Sequence, residues 1–299
     1  MSDGPLVTVV VPTFNAGQLL LETLESVRSQ TVQDVEVIVV DDGSTDGTPD
    51  LVRRERPEVR VIEQPNGGVS RARNRGLAET RTPFVCFLDQ DDVWHPLQLE
   101  RQLACFEAHP EAVAVATPYW FWHPDTNASY RLEPWPDDQG REKLVCGFDG
   151  WTYHQFLRDC WALTSATLLR AESVRAAGGF DETLPYSEDW DLWLRLARRQ
   201  PFLQLAWPPV RYRQHPDQGS RKVRQRDYRS ELLQRVAASH GLCSPDGQCL
   251  SQREFRQQLA RYRMEFGYHL LAGGASRRVV SGTLLRAWWG HPRRIKWLV

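Results

Sequence analysis

Over its first 116 residues the chain alternates short apolar runs with segments of helical period, and this alternation narrows the fold more than any other feature. The runs at 7–11, 35–40, 60–62, 84–88 and 113–116 have strand length, and that at 35–40 is β-branched apart from Glu36. Between them Leu20, Leu24 and Val27 fall at i, i+4 and i+7, and Leu99, Leu103 and Phe106 repeat that spacing after Pro96. A βαβ series of this kind predicts an α/β fold, a mostly parallel sheet flanked by helices.

From 117 to 150 the pattern gives way to aromatic and proline-rich sequence, including Tyr119, Trp120, Phe121, Trp122, Pro134, Trp135 and Pro136, where loops and edge strands are expected. Helical signals return at 171–177, 189–199, 226–239 and 252–271, with a break at Gly273-Gly274. The reading is of three parts: 1–116, 117–225 and a helical C-terminal extension, 226–299.

With 299 residues and 41% hydrophobic content the chain can bury a substantial core. No signal peptide and no run near 18 apolar residues is visible, so a cytoplasmic protein is expected. The six cysteines lack C-x-x-C spacing and read as mostly reduced thiols without chemistry. The net charge of -1 hides an asymmetry: residues 1–110 carry 10 basic and 18 acidic side chains, residues 226–299 carry 13 and 5. That basic end suits an anionic surface or a solvated helical face.

Two of the runs end in acids. The second leads into Asp41-Asp42-Gly43-Ser44-Thr45-Asp46-Gly47-Thr48, and the fourth into Asp89-Gln90-Asp91-Asp92. In open parallel sheets ligands bind beyond the carboxyl ends of strands, so both acid groups face one crevice. Carboxylates this close repel, and a cation or a strong hydrogen-bond donor makes them tolerable; their place just past a strand points to a metal-diphosphate site over a solvated acidic turn. Thr48-Pro49 offers an N-cap with proline at the first helical position. There is no G-x-G-x-x-G and no Walker motif, which argues against a dehydrogenase or a nucleotidyltransferase.

Taken in order, the motifs resemble those of the family 2 glycosyltransferases of the Rossmann-like GT-A fold, over roughly residues 6–220. They are Val9-Val10-Val11-Pro12-Thr13-Phe14-Asn15, the 39–48 loop, Asn66-Gly67-Gly68 with Arg71-Ala72-Arg73-Asn74-Arg75-Gly76, the DxD element at 89–92, Gly178-Gly179-Phe180-Asp181, and Ser187-Glu188-Asp189-Trp190-Asp191-Leu192-Trp193. The resemblance implies inverting transfer of a sugar from a nucleotide diphosphate donor to a hydroxyl, with Mg²⁺ or Mn²⁺. UDP or dTDP donors are favoured, and the acceptor is a carbohydrate or lipid-linked glycan; no nucleic acid is expected. An inactive nucleotide-sugar-binding protein on the same scaffold is the alternative.

Residue by residue, the resemblance places Asp189 as general base, with Glu188 orienting the acceptor. Pro12, Thr13 and Asn15 line the nucleotide pocket, and Asp42 or Asp41 accepts a hydrogen bond from the base. Asp89 contacts ribose or sugar, and Gln90 is a donor-side residue rather than a strong ligand. Asp91 is the metal ligand, Asp92 supports the metal or caps the next turn, and His215 completes the metal site. Of the arginines, helical spacing favours Arg71 as the phosphate-side residue and leaves Arg73 at the surface. Trp151, Trp161, Trp190 and Trp193 suit sugar stacking or core packing. Finally, Val280, Leu284, Leu285, Trp288 and Trp289 form an apolar face among Arg277, Arg278, Arg286, Arg293, Arg294 and Lys296. That pattern fits peripheral contact with the inner face of the cytoplasmic membrane, docking on the catalytic domain, or a dimer partner.

Overall fold

The computed structural model describes residues 4–123, 135, 143–216, 218–219, 224–274 and 280–285. The chain divides into two compact units, Met1–Thr152 with Trp161–Gln214, and Tyr153–Cys160 with His215–Val299. The division falls eleven residues before the expected start of the helical extension at 226, and a short stretch of the middle third joins the second unit. The reason is local: the Tyr153 hydroxyl donates to the Gly241 carbonyl and the buried His154 bonds Ser244.

In the first unit, β1 (Val7–Thr13), α1 (Gln18–Arg28), β2 (Val35–Asp41), α2 (Thr48–Glu55), β3 (Arg60–Glu63), α3 (Val69–Glu79) and β4 (Phe84–Phe87) follow the expected alternation. Then come β5 (Val93–Trp94), α4 (Gln98–Ala108), β6 (Ala114–Ala116), β7 (Tyr119–Trp122) and β8 (Leu144–Gly150). After α5 (Tyr153–Phe156), which belongs to the second unit, the first resumes with β9 (Thr167–Arg170), α6 (Ala171–Ala176), α7 (Glu188–Ala197), β10 (Phe202–Leu205) and β11 (Val210–Arg213). An eight-stranded sheet has the order β3-β2-β1-β4-β9-β6-β10-β8, and a small sheet the order β5-β11-β7. β3, β2, β1 and β4 are mutually parallel. β9 runs antiparallel between β4 and β6, and β10 is parallel to β6, so β8 and β9 alone run against the other six. The sheet is therefore mostly parallel, as the alternation predicts. β7 and β8 occupy sheet edges, as expected for their region.

Every residue of β1 is buried, because β1 has a neighbour on each edge and a layer on each face. Val9 and Val11 point into the core shared with Leu20, Leu24 and Val27 of α1. Val10 meets α3 on the other side, where a Cβ at Gly76 would lie 2.2 Å from Val10 Cγ1. Glycine is what lets that helix approach the sheet. Each fully buried valine here contributes roughly 1.5–3 kcal/mol. The order 3-2-1-4 also reverses the chain's direction of travel across the sheet between β1 and β4, which opens a crevice at their carboxyl ends.

Two local expectations need correction. α2 takes Gly47 rather than Thr48 as its N-cap, in the left-handed region, with proline inside the first turn. Thr48 instead accepts the Gly17 N–H and donates to Asp46, tying α2 to the β1 loop. In the second unit, Cys243 and Cys249 are disulfide-bonded rather than reduced. They face each other across an antiparallel bridge, closed by the Leu250 N–H to the Leu242 carbonyl.

The second unit carries α8 (Tyr228–His240) and α9 (Gln252–Ala272). Asp227 caps α8 by accepting the Ser230 N–H, and Ser251 with Glu254 forms a reciprocal capping box on α9. Of the C-terminal apolar face, Val280 is buried, and Leu284 packs over α9 where a Cβ at Gly267 would come within 2.7 Å of its Cδ2. That part of the face is covered by protein, while Leu285 stays 61% exposed. Arg277, Arg278, Arg286, Trp288, Trp289, Arg293, Arg294 and Lys296 lie outside the described residues, as do 124–134 and 136–142. Among the described residues no helix is long and apolar enough to cross a membrane.

Candidate active site

The site is built from loops at the carboxyl ends of β1, β2 and β4 and from the start of α7. Asn15 binds the first two loops together: its N–H donates to Ser44 Oγ at 2.8 Å and its Oδ1 accepts the Thr45 N–H at 2.8 Å. It does so with φ +50°, in the left-handed region that asparagine enters more readily than most side chains. Gln90 performs the same task for the third loop, accepting the Phe14 N–H at 2.8 Å and donating back to the Phe14 carbonyl at 3.3 Å. Pro12 and Thr13 are buried in β1, and the Thr13 carbonyl accepts the Asp42 N–H.

Asp41 and Asp42 have separate duties. Asp41 is buried and accepts the Ser44 N–H at 2.9 Å, which shapes the turn. Asp42 accepts the N–H groups of Gly67 and Gly68, at 3.0 Å and 2.7 Å, and the Gln64 side-chain amide at 2.7 Å. The acid thus clamps the N-terminus of α3, where Gly68 has φ +89°. A nucleobase reaching Asp42 would share it with these donors.

The 89–92 turn sorts its carboxylates by environment. Asp89 is partly exposed and pairs with Arg73 at 2.7 Å, while its N–H donates to Ser165 Oγ. Asp91 is half-buried, and its carbonyl accepts from Arg213 Nε at 2.7 Å. Asp92 is fully buried and accepts the Arg213 N–H of β11 at 3.1 Å. Burial first, then the charges of Asp91 and Asp89, push its carboxyl well above the usual range, against hydrogen bonds from Ser165 and the Arg213 backbone. Its contacts fasten the turn to β11. Arg213 itself is buried, reaching Glu22 of α1 at 2.6 Å across the face of Trp122.

Arg73 is the largest departure from the sequence reading. It is not at the surface: with 4% side-chain exposure it lies among the acids, bonded to Asp89 and, at 2.8 Å, to Glu188. Burial alone would lower its guanidinium, but the charges of Asp89 and Glu188 outweigh that and hold it above the usual value. Arg71 is exposed beside Gly67, in an open cleft lined also by Gln64, Asn74, Arg75 and Glu182.

α7 opens after Ser187, whose φ of +63° turns the chain so that Glu188 and Asp189 enter the crevice. Asp189 is half-buried and accepts the Trp190 N–H at 2.7 Å and, more weakly, the Thr164 hydroxyl at 3.4 Å. Burial and the neighbouring Glu188 charge raise its carboxyl to about 6, with Arg73 and the Trp190 N–H opposing. A carboxylate near that value accepts a proton effectively at neutral pH. Asp191 points away and holds Arg195, which donates to the carbonyls of Ala177 and Gly179 and so braces the glycine loop. Trp190 and Trp193 are core residues, while Trp161 packs edge-on against Phe148 and Phe202.

Asp91 is a half-buried carboxylate at this turn, and a hard oxygen donor of that kind fits a divalent cation. Among the described residues no three His, Cys, Asp or Glu side chains are placed to hold a metal by themselves. His215 falls in the second unit.

The sequence profile described as glycosyl transferase family 2 matches residues 8–159, more than half of the chain. The chain belongs to that family. It is 28% identical over 204 residues to the chondroitin synthase of Pasteurella multocida (strain Pm70), which covers 67% of this chain. It spans about a fifth of that enzyme's length. The fold of this family 2 chain is also that of S. aureus TarS, whose crystal structure with UDP-GlcNAc superposes with a TM-score of 0.65 at 19% identity, covering 94% of this chain and 79% of that one. The mannosyltransferase PcManGT from Pyrobaculum calidifontis, in complex with GDP-Man and Mn²⁺, gives a TM-score of 0.56 at 20% identity, covering 98% and 82%.

Proposed function

We propose that this chain transfers a sugar, with inversion, from a nucleoside diphosphate sugar to a hydroxyl of a carbohydrate or lipid-linked glycan. The observation that carries the reading is Asp189, a half-buried carboxylate raised to about 6 and joined through Glu188 and Arg73 to the Asp89 loop. Asp189 accepts the proton of the acceptor hydroxyl as that oxygen attacks the anomeric carbon from the face opposite the leaving diphosphate. When bound, a divalent cation neutralises charge on the departing diphosphate. Asp91 would hold it, and His215 remains a proposed further ligand from the family resemblance. Asp89 and Gln90 position the donor side, and Pro12, Thr13, Asn15 and Asp42 frame the nucleotide.

UDP or dTDP donors fit best, since Asp42 offers a carboxylate where a pyrimidine imide N–H would seek an acceptor; the TarS structure with UDP-GlcNAc supports the same choice. The chondroitin synthase relative supports a growing polysaccharide as acceptor. Peripheral contact with an anionic membrane through the basic C-terminal segment belongs to this proposal and is read by sedimentation with anionic vesicles. The test is a panel of UDP-, dTDP- and GDP-sugars with and without Mn²⁺, following binding and slow hydrolysis. One donor selected in a metal-dependent way supports the reading; a bound donor that no acceptor or water discharges makes the chain a binding protein.

A further inference from the structure

Two adjacent residues of α3, Arg73 and Asn74, brace it against the 178–181 loop and α7. Asn74 makes two bonds to the Phe180 backbone, donating to its carbonyl and accepting its N–H, both at 2.8 Å. The loop comes so close that a Cβ at Gly179, where φ is +69°, would lie 2.5 Å from Asn74 Oδ1. One residue earlier, Arg73 lies over the Phe180 ring and sends its two terminal nitrogens in different directions, one to Asp89 after β4 and one to Glu188 on α7. These partners are 16 and 115 residues away in sequence. The guanidinium is thus a rigid fork between the donor-side turn and the residue that precedes the proposed base.

We propose that Arg73 is a positioning residue that locks Asp89 and the first turn of α7 into one unit, fixing where Asp189 stands relative to the bound donor. The inference rests on the transferase reading above. A lysine can match the charge but not the fork, because one ammonium does not span two carboxylates with the same planar geometry. The groups that face Asp189 are Glu188 on its own helix, Arg73 from α3, Asp89 from the β4 turn and the Thr164 hydroxyl. Among them Arg73 supplies the positive charge.

The experiment compares the full chain with Arg73→Lys, Arg73→Met and Glu188→Gln, measuring kcat, donor KM and melting temperature between about pH 5 and 9. Arg73→Lys is expected to keep the acid limb of kcat in place while kcat falls by roughly 10- to 100-fold, the cost of misplacement. Arg73→Met moves the acid limb to higher pH, because Asp189 loses its nearby cation. Glu188→Gln moves it to lower pH, because Asp189 loses a like charge. Opposite shifts are the signature of a fork acting on the base. If all three variants lose activity equally at every pH, in step with melting temperature, Arg73 only holds the fold and the proposal fails. The Asp189 carboxyl titration, followed by ¹³C NMR in the same proteins, needs no turnover. Opposite shifts there in Arg73→Met and Glu188→Gln, beside a wild type that discharges no donor, keep the coupling of Arg73 to Asp189 and sink the transferase reading; an unmoved titration overturns the inference itself.

Discussion

Asp91–Asp92 and Glu188–Asp189 are both adjacent carboxylates at the edge of one crevice, and the fold treats them in the same way. One member of each pair is built into the protein. Asp92 is fully buried on the Arg213 N–H, and Glu188 is held by the Arg73 guanidinium. The other member, Asp91 or Asp189, is half-buried in the crevice. Two like charges side by side are costly when both are desolvated, so assigning one to a structural donor makes the second affordable. Adjacent acids in the sequence are therefore not equivalent, and one substitution in each pair should act on chemistry while the other acts on stability or placement.

The sharpest break in that symmetry is Asp189→Asn, which is expected to lower transfer by roughly 10²- to 10⁴-fold with donor affinity unchanged, the range typical for losing a positioned base. Calorimetric donor titration beside a transfer assay checks it. Asp91→Asn comes next: metal-dependent donor binding should weaken by at least about 10- to 100-fold, the loss usual when a metal site is damaged. A binding curve across Mn²⁺ concentrations reads this directly. Asp92→Ala should instead leave the metal dependence in place and destabilise the chain by about 1–3 kcal/mol, since the Arg213 N–H and the Ser165 hydroxyl lose a buried acceptor. Equilibrium unfolding in urea is the measurement.

The smallest effect concerns pH. Asp189 is raised in the folded chain to about 6, so its contribution to stability is fully present below its unfolded value near 3.8 and is lost as pH rises through 6. Relative to Asp189→Asn the wild type should therefore lose melting temperature across that window. Transfer should run the other way, rising about tenfold per pH unit below 6 and levelling above, because the base works only when deprotonated.

Much of the nucleotide side was legible because its signals are local. The β-branched runs, the glycine at 68 and the acids just past β2 and β4 each act within a few residues of where they stand, and the structure brings Asn15, Asp42, Asp89 and Gln90 to one crevice. What escaped reading depends on distant partners. Arg213 meets Asp92 across 121 residues, so nothing near Asp92 could show that its carboxylate was already committed. Arg73 was misplaced for a related reason: spacing on a helix separates its face from that of Arg71 and Arg75, but does not tell which face the protein buries. Its partner Glu188 was the missing sign. The Cys243–Cys249 pairing was hidden in the same way, since its spacing of six matches no redox or metal pattern and depends on the bridge between the flanking segments.

In the proposed reaction Asp189, and not its neighbour Glu188, takes the acceptor proton. The most direct test is the pre-steady-state rate of sugar transfer by Asp189→Asn and Glu188→Gln at saturating donor, measured at a pH well above the acid limb. Asp189→Asn should all but abolish the chemical step, whereas Glu188→Gln should slow it and shift its acid limb downward. Near-normal chemistry in Asp189→Asn, with the step lost in Glu188→Gln, would exchange the two roles and contradict the proposed reaction.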